Sequence, residues 1–174
     1  MKRMCLVLLL CTLVLPLSAF SFYAGFDAAS FLGFAYGSTG ISGTISASVD
    51  EAFRLNLGCG YYAPPLSADN DIRFFNAFLS ADYFIFPQWG IYIGMSVADL
   101  FFPYGLDSDG KVRFSNHMKV GICYDFPFFS ADASVILRDL SGADGTASNY
   151  LSAEIRQLDR VAFSLLLSFR YDWE

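Results

Sequence analysis

From residue 22 onward the chain alternates apolar and polar residues at a period of two, the signature of β-strands with one apolar face. The clearest case is Val161 to Trp173. Its odd positions, from Val161 through Phe163, Leu165, Leu167, Phe169 and Tyr171 to Trp173, are all apolar or aromatic, and its even positions are small, charged or leucine. The same split recurs along Phe22–Tyr36, Ile41–Val49, Phe53–Tyr62, Ile72–Phe86, Trp89–Ala98, Val112–Ile122, Phe129–Arg138 and Tyr150–Arg156. No segment of this part carries a helical period. Turn signals separate the strands: Gly37-Ser38-Thr39-Gly40, Asp50-Glu51, Pro87-Gln88 and Asp125-Phe126-Pro127 are short. The connections at 63–71, 103–111 and 139–148 are longer.

Short turns alternating with longer loops predict an all-β, antiparallel up-and-down barrel. The polar face is rich in Gly, Ala and Ser, which suits a narrow lumen. It also carries both charge signs, at Arg54, Asp82, Lys119, Arg138, Glu154, Arg156, Arg170 and Asp172, which can pair across that lumen. Aromatics gather near strand ends, at Tyr61, Tyr62, Phe86, Trp89, Phe101, Phe102, Tyr124, Phe126, Tyr171 and Trp173. Such belts mark a lipid–water interface. The prediction is therefore a transmembrane barrel with its apolar face in lipid. A soluble barrel or sandwich with the aromatics in its core is the alternative.

The alternation counts nine segments, whereas single-chain membrane barrels have even strand numbers. Eight strands are expected, with Phe22–Tyr36 and Ile41–Val49 merged; ten is the alternative if a strand is missed. Counted as nine, a chain with a periplasmic C-terminus puts its longer loops on the periplasmic side, against the usual pattern.

The first 21 residues read differently. Met1-Lys2-Arg3 precedes the apolar run Cys5–Leu15 and the small-residue stretch Pro16–Ser21. This is a secretory signal peptide, too short to span a membrane. Cleavage fits best after Ser21, with Ala19 the second choice. Cys11 lies inside the apolar run, so lipoprotein processing does not fit. The domain assignment is 1–21 signal peptide and 22–174 a single barrel.

Removing Lys2 and Arg3 leaves 9 basic residues against 17 acidic ones, a net charge of −8. That argues against nucleic-acid partners and anionic lipid surfaces. Cys59 and Cys123 remain, on opposite faces of the sheet, and so stay unpaired.

In these features the chain resembles the small outer-membrane β-barrels of Gram-negative-type bacteria. The resemblance rests on the signal peptide, about 150 mature residues, alternating strands, and a last strand whose aromatics end at Tyr171 and Trp173 before Glu174. It implies an outer-membrane location, contact with lipid, and recognition of the C-terminal strand by the assembly machinery. It is architectural, so no family's functional residues carry over.

Candidate chemistry is sparse. His117, the single histidine, shares its face with Ser115. That is superficially similar to the Ser/His/acid set of outer-membrane lipid A deacylases, but the order is reversed and no acid partner is nameable. A luminal histidine between Arg113 and Lys119 is the better reading. Asp107-Ser108-Asp109-Gly110 starts like a calcium loop without the remaining ligands. The glycines at 33, 37, 40 and 43 lack the Lys-Ser/Thr of a phosphate loop. No catalytic, cofactor-binding or metal-binding residue is assigned, no cofactor is expected, and the protein is not expected to be an enzyme.

Three functions fit. The first is an integral outer-membrane barrel with a structural, adhesive or surface-recognition role. The second is a narrow channel for small or hydrophobic solutes, which Phe74, Phe78 and Phe84 on the luminal face favour. The third is a soluble, secreted, lipocalin-like barrel binding a small apolar ligand.

Overall fold

The computed structural model describes residues 20–32, 39–48, 50–63, 73–104, 112–138 and 161–173. Its strands are β1 (Phe20–Asp27), β2 (Thr39–Ser48), β3 (Phe53–Ala63), β4 (Arg73–Phe86), β5 (Ile91–Tyr104), β6 (Arg113–Ser115), β7 (His117–Asp125), β8 (Phe129–Arg138) and β9 (Val161–Trp173). A one-turn helix, α1 (Ala28–Phe31), follows β1. Neighbouring wall strands pair antiparallel in chain order, and β1 closes the barrel antiparallel to β9. β6 and β7 are two pieces of one wall strand, broken at Asn116 and both paired to β5. The wall therefore has eight strands.

Eight is reached by a route other than the expected merger. β1 and β2 stay separate and pair along Ser21↔Ser48 to Phe26↔Gly43. The expected strand at 150–156 lies outside the described residues. β8 pairs directly with β9, from Phe129↔Phe169 to Leu137↔Val161, which leaves no place between them for another strand. The corrected parity also removes the conflict over sidedness. The short connections 49–52, 87–90 and 126–128 all fall at one end of the barrel, the end that holds the start of β1 and the close of β9. The long connections fall together at the other end. Short periplasmic turns and long outer loops are the ordinary arrangement.

The apolar face points outward. Phe22, Ile45, Leu57, Tyr83, Val120, Phe163 and Leu165 are exposed, and Phe169 is 80% exposed. Ser42, Thr44, Ser46, Arg54, Asn56, Ser80, Asp82, Asp132 and Ser134 are buried inside. A soluble barrel would have to do the reverse, so the lipocalin-like reading fails on this point. In hydrocarbon, a closed antiparallel wall is one of the few structures that satisfies its own backbone.

Rings cluster at both ends of the apolar band. At the short-turn end Phe86 meets Trp89 at 5.6 Å, Phe126 stacks on Phe129 at 4.1 Å, and Tyr171 contacts Trp173 at 6.5 Å. At the other end Tyr61 lies 6.1 Å from Tyr104 and Phe75 lies 6.0 Å from Phe102. The eleven steps from Phe75 to Phe86, at about 3.4 Å each and a strand tilt of about 40°, span about 29 Å, close to the height of a barrel's lipid band.

Two residues expected in the belts are inside instead: Tyr62 and Phe101 are fully buried. Tyr62 simply occupies an inward position of β3. Phe101 is inward because of a β-bulge: Leu79 pairs with Ala98 but Ser80 with Ser96, so Val97 is extra. One extra residue flips every later side chain of β5 to the other face. Among the described residues Gly90 has a left-handed φ of 66°, and it closes the 87–90 turn against the Cys123 backbone.

Candidate functional site

Inward-facing polar groups are tolerated in a membrane barrel only when they are paired, because the lumen of an eight-stranded barrel is filled by side chains. Among the described residues, a charged network around Arg54 supplies such pairing. Arg54 on β3 donates to Asp82 on β4 through Nε at 3.1 Å and Nη2 at 2.9 Å. Its Nη2 also pairs with Asp132 on β8. In the order around the wall, β8 stands four strands from β3 in either direction. The Arg54–Asp132 bridge therefore crosses the full width of the lumen.

Other groups lock this crossbar. Tyr92 donates to Asp132 Oδ1 at 2.6 Å, Asn56 donates to Asp82 Oδ2 at 2.9 Å, and Lys119 Nζ sits 2.9 Å from Asp82 Oδ1. The Arg54 guanidinium lies 5.2 Å from the Phe84 ring and 5.1 Å from that of Tyr92, within cation–π range. Gly94 is what leaves room for the Asp82–Lys119 pair, since a Cβ there would run into both side chains.

Nearer the long-loop end a second group forms. His117 Nδ1 lies 2.8 Å from Asp99 Oδ2, and Asn76 donates to Asp99 Oδ1 at 2.6 Å. The His117 amide donates to Ser96 Oγ at 2.8 Å, which satisfies a backbone group at the bulge. Beyond it Tyr62 stacks on Phe74 at 5.0 Å, and Phe74 lies 5.7 Å from Phe101. Between the crossbar and these groups is a chamber of about 60 Å³, lined by residues including Asn56, Phe78, His117, Lys119 and Asp132. That is space for about four waters. A vestibule at the short-turn end has Tyr23, Phe84, Cys123, Asp125 and Arg170 in its walls, and Phe84 and Cys123 there contact Arg54 of the crossbar.

These positions correspond only in part to the sequence expectations. Arg54, Asp82 and Lys119 come together as anticipated. Arg170 and Asp172 pair at 2.8 Å at the rim, where Arg170 also reaches Asp125 at 3.2 Å. Glu154, Arg156 and Asp107–Gly110 lie outside the described residues, as does the side chain of Arg138. Phe74, Phe78 and Phe84 do face the lumen, but they pack on Tyr62, His117 and Arg54 and so fill it. Ser115 and His117 are not joined: Ser115 Oγ donates to the Asn116 carbonyl at 3.4 Å, and the acid that holds His117 is Asp99. Cys59 is exposed and Cys123 buried, both free. Sequence reading missed Asp132 and Asp99 as ion-pair partners. For Asp132 its inward position on the strand was the only local signal; for Asp99 there was none, because the bulge at Val97 reverses the face that the alternation gives it, and each partner is remote in sequence.

No family model matches the sequence, and no curated protein matches it. The structure of the N-terminal β-barrel domain of Pseudomonas aeruginosa OprF is similar at a TM-score of 0.54 and 15% identity, covering 89% of this chain and 97% of that one. This is the fold of a small outer-membrane β-barrel. Neisserial surface protein A aligns at a TM-score of 0.43 with 18% identity over 88% of this chain and 94% of that one. Yersinia pestis Ail aligns at 0.47 with 9% identity over 89% and 99%. Identity this low speaks to fold alone; lipid contact follows from the outward apolar band.

Proposed function

We propose that this barrel is a closed outer-membrane scaffold that holds its long connections at the cell surface for a structural, adhesive or recognition role. The observation that carries this reading is the Arg54–Asp132 bridge between opposite walls. It blocks the lumen where a pore would have to run. In planar lipid bilayers the purified barrel is expected to stay electrically silent across many insertions. Recurrent, uniform current steps would overturn the reading in favour of the narrow-channel alternative.

The exposed Tyr171 and Trp173 on β9 support recognition of the last strand by the outer-membrane assembly machinery. The N-terminal segment is proposed to be a cleaved signal peptide. Phe20 and Ser21 pair with Trp173 and Asp172, and Ser21 Oγ donates to Asp172 Oδ1 at 2.6 Å. This pairing supports cleavage after Ala19, the second of the two sites, because cleavage after Ser21 removes both pairs from the closing seam. N-terminal sequencing of the mature protein is expected to begin at Phe20. A start at Phe22 would restore the first site.

A further inference from the structure

β1 ends part-way up the barrel. Its last pairs are Phe26↔Gly43 with β2 and Asp27↔Leu166 with β9. β2 nevertheless runs on to Thr39 and β9 to Val161. Continued in register, residues 28–32 would have filled the wall between them; instead they form α1 and its C-cap, Leu32. Above Asp27, then, among the described residues, two strand edges face each other across a slot that α1 enters. Two inter-strand spacings come to about 9.6 Å, and a helix with its side chains is about 10 Å wide, so one helical turn fits.

α1 packs against both β2 and β9. Phe31 and Leu32 are 69% and 63% exposed. The helix is held by side chains and not by a strand ladder. Asp27 Oδ1 accepts from the Leu165 amide at 2.9 Å, and Ser30 Oγ lies 3.4 Å from Ser42 Oγ and 3.2 Å from the Tyr62 hydroxyl.

The chamber reaches the foot of this slot: Asp27 at the end of β1, Ser42 and Thr44 of β2, and Ser164 and Leu166 of β9 line it. Asn56 lines it too, 1% exposed, and its Oδ1 is buried with no hydrogen-bond partner among the described residues. A buried acceptor left unmatched calls for a donor. The chamber's own side-chain donors are engaged: Lys119 Nζ by Asp82, and His117 Nδ1, 2.8 Å from Asp99 Oδ2.

We propose that the slot between β2 and β9 is a lateral gate with α1 as its leaf. It admits the hydrogen-bond-donating head of a single-chain amphiphile, such as a primary amine, from the outer leaflet into the chamber, while the tail stays in lipid beside Phe31 and Ile41.

The test uses the protein in phosphatidylcholine nanodiscs, titrated with dodecylamine and, in parallel, with dodecane and dodecanoate, while the Asn56 side-chain amide and the Thr44 backbone amide are followed by NMR. Dodecylamine is expected to shift both signals saturably; dodecane and dodecanoate are not. A Ser30→Cys/Ser42→Cys disulfide, in a Cys59→Ala/Cys123→Ser background, ties the leaf to β2. Oxidation is expected to weaken the response at least tenfold, and reduction to restore it. Asn56→Leu, followed at Thr44, is expected to lose saturation, which keeps the test decisive if the crosslink does not form. An equal response to all three probes, no saturable shift, or a response indifferent to both the lock and Asn56→Leu overturns the gate.

Discussion

Replacing Arg54 with methionine is expected to destabilise the barrel by about 3–5 kcal/mol, the usual loss when one partner of a buried ion pair is removed. Arg54 is 2% exposed and serves two carboxylates, Asp82 and Asp132. Lys119 remains for Asp82, whereas Asp132 keeps only the Tyr92 hydroxyl among the contacts described above. The loss should therefore fall mainly on Asp132. In Arg54→Met/Asp132→Asn the lone charge is gone, and much of the stability is expected to return. Urea unfolding in lipid vesicles, read from Trp89 and Trp173 fluorescence, measures both variants and, with Asp132→Asn alone, closes the double-mutant cycle. A loss below about 1 kcal/mol for Arg54→Met would mean that water reaches the cluster and that the crossbar does not seal the lumen.

Leu57→Arg is expected to cost about 2–4 kcal/mol, the range for a cation near the bilayer midplane on a barrel's outer face. Leu57 is 61% exposed and sits on β3 halfway between two outward rings, Phe53 and Tyr61. In water, arginine at such a position would cost almost nothing. The same unfolding assay decides, with Phe128→Arg as the rim control. Phe128 lies in the 126–128 turn and is 81% exposed, where the penalty should fall to about 0–1 kcal/mol. Equal effects at the two positions would contradict a lipid band around β3.

Because successive side chains of a strand point to opposite faces, the sequence alone shows which residues share a face. Leu165 and Phe169 turn outward, and Arg54, Asp82 and Lys119 turn inward, as their positions in the period predict. Which face meets lipid is legible from the excess of exposed rings at strand ends and the small and charged residues opposite them.

Where local pattern and tertiary structure disagree, the cause is a non-local choice. Alternation runs on through Leu32, Phe34 and Tyr36, so nothing in it signals that the chain leaves the wall at Asp27 to form α1. That turn is fixed by Asp27 capping Ala29 and bonding Leu165, 138 positions away in sequence. The bulge at Val97 leaves both neighbouring stretches alternating, yet it carries Asp99 and Phe101 inward.

The sequence by itself determined the strand period, the polarity of each face and the aromatic belts, because these depend on neighbours two residues apart. Only the tertiary structure decided the strand number, the separation of short and long connections to opposite ends, the crossbar and the slot beside α1. Each of those depends on which distant strands share hydrogen bonds: β8 with β9 in closing the wall, and Arg54 with Asp132 across it.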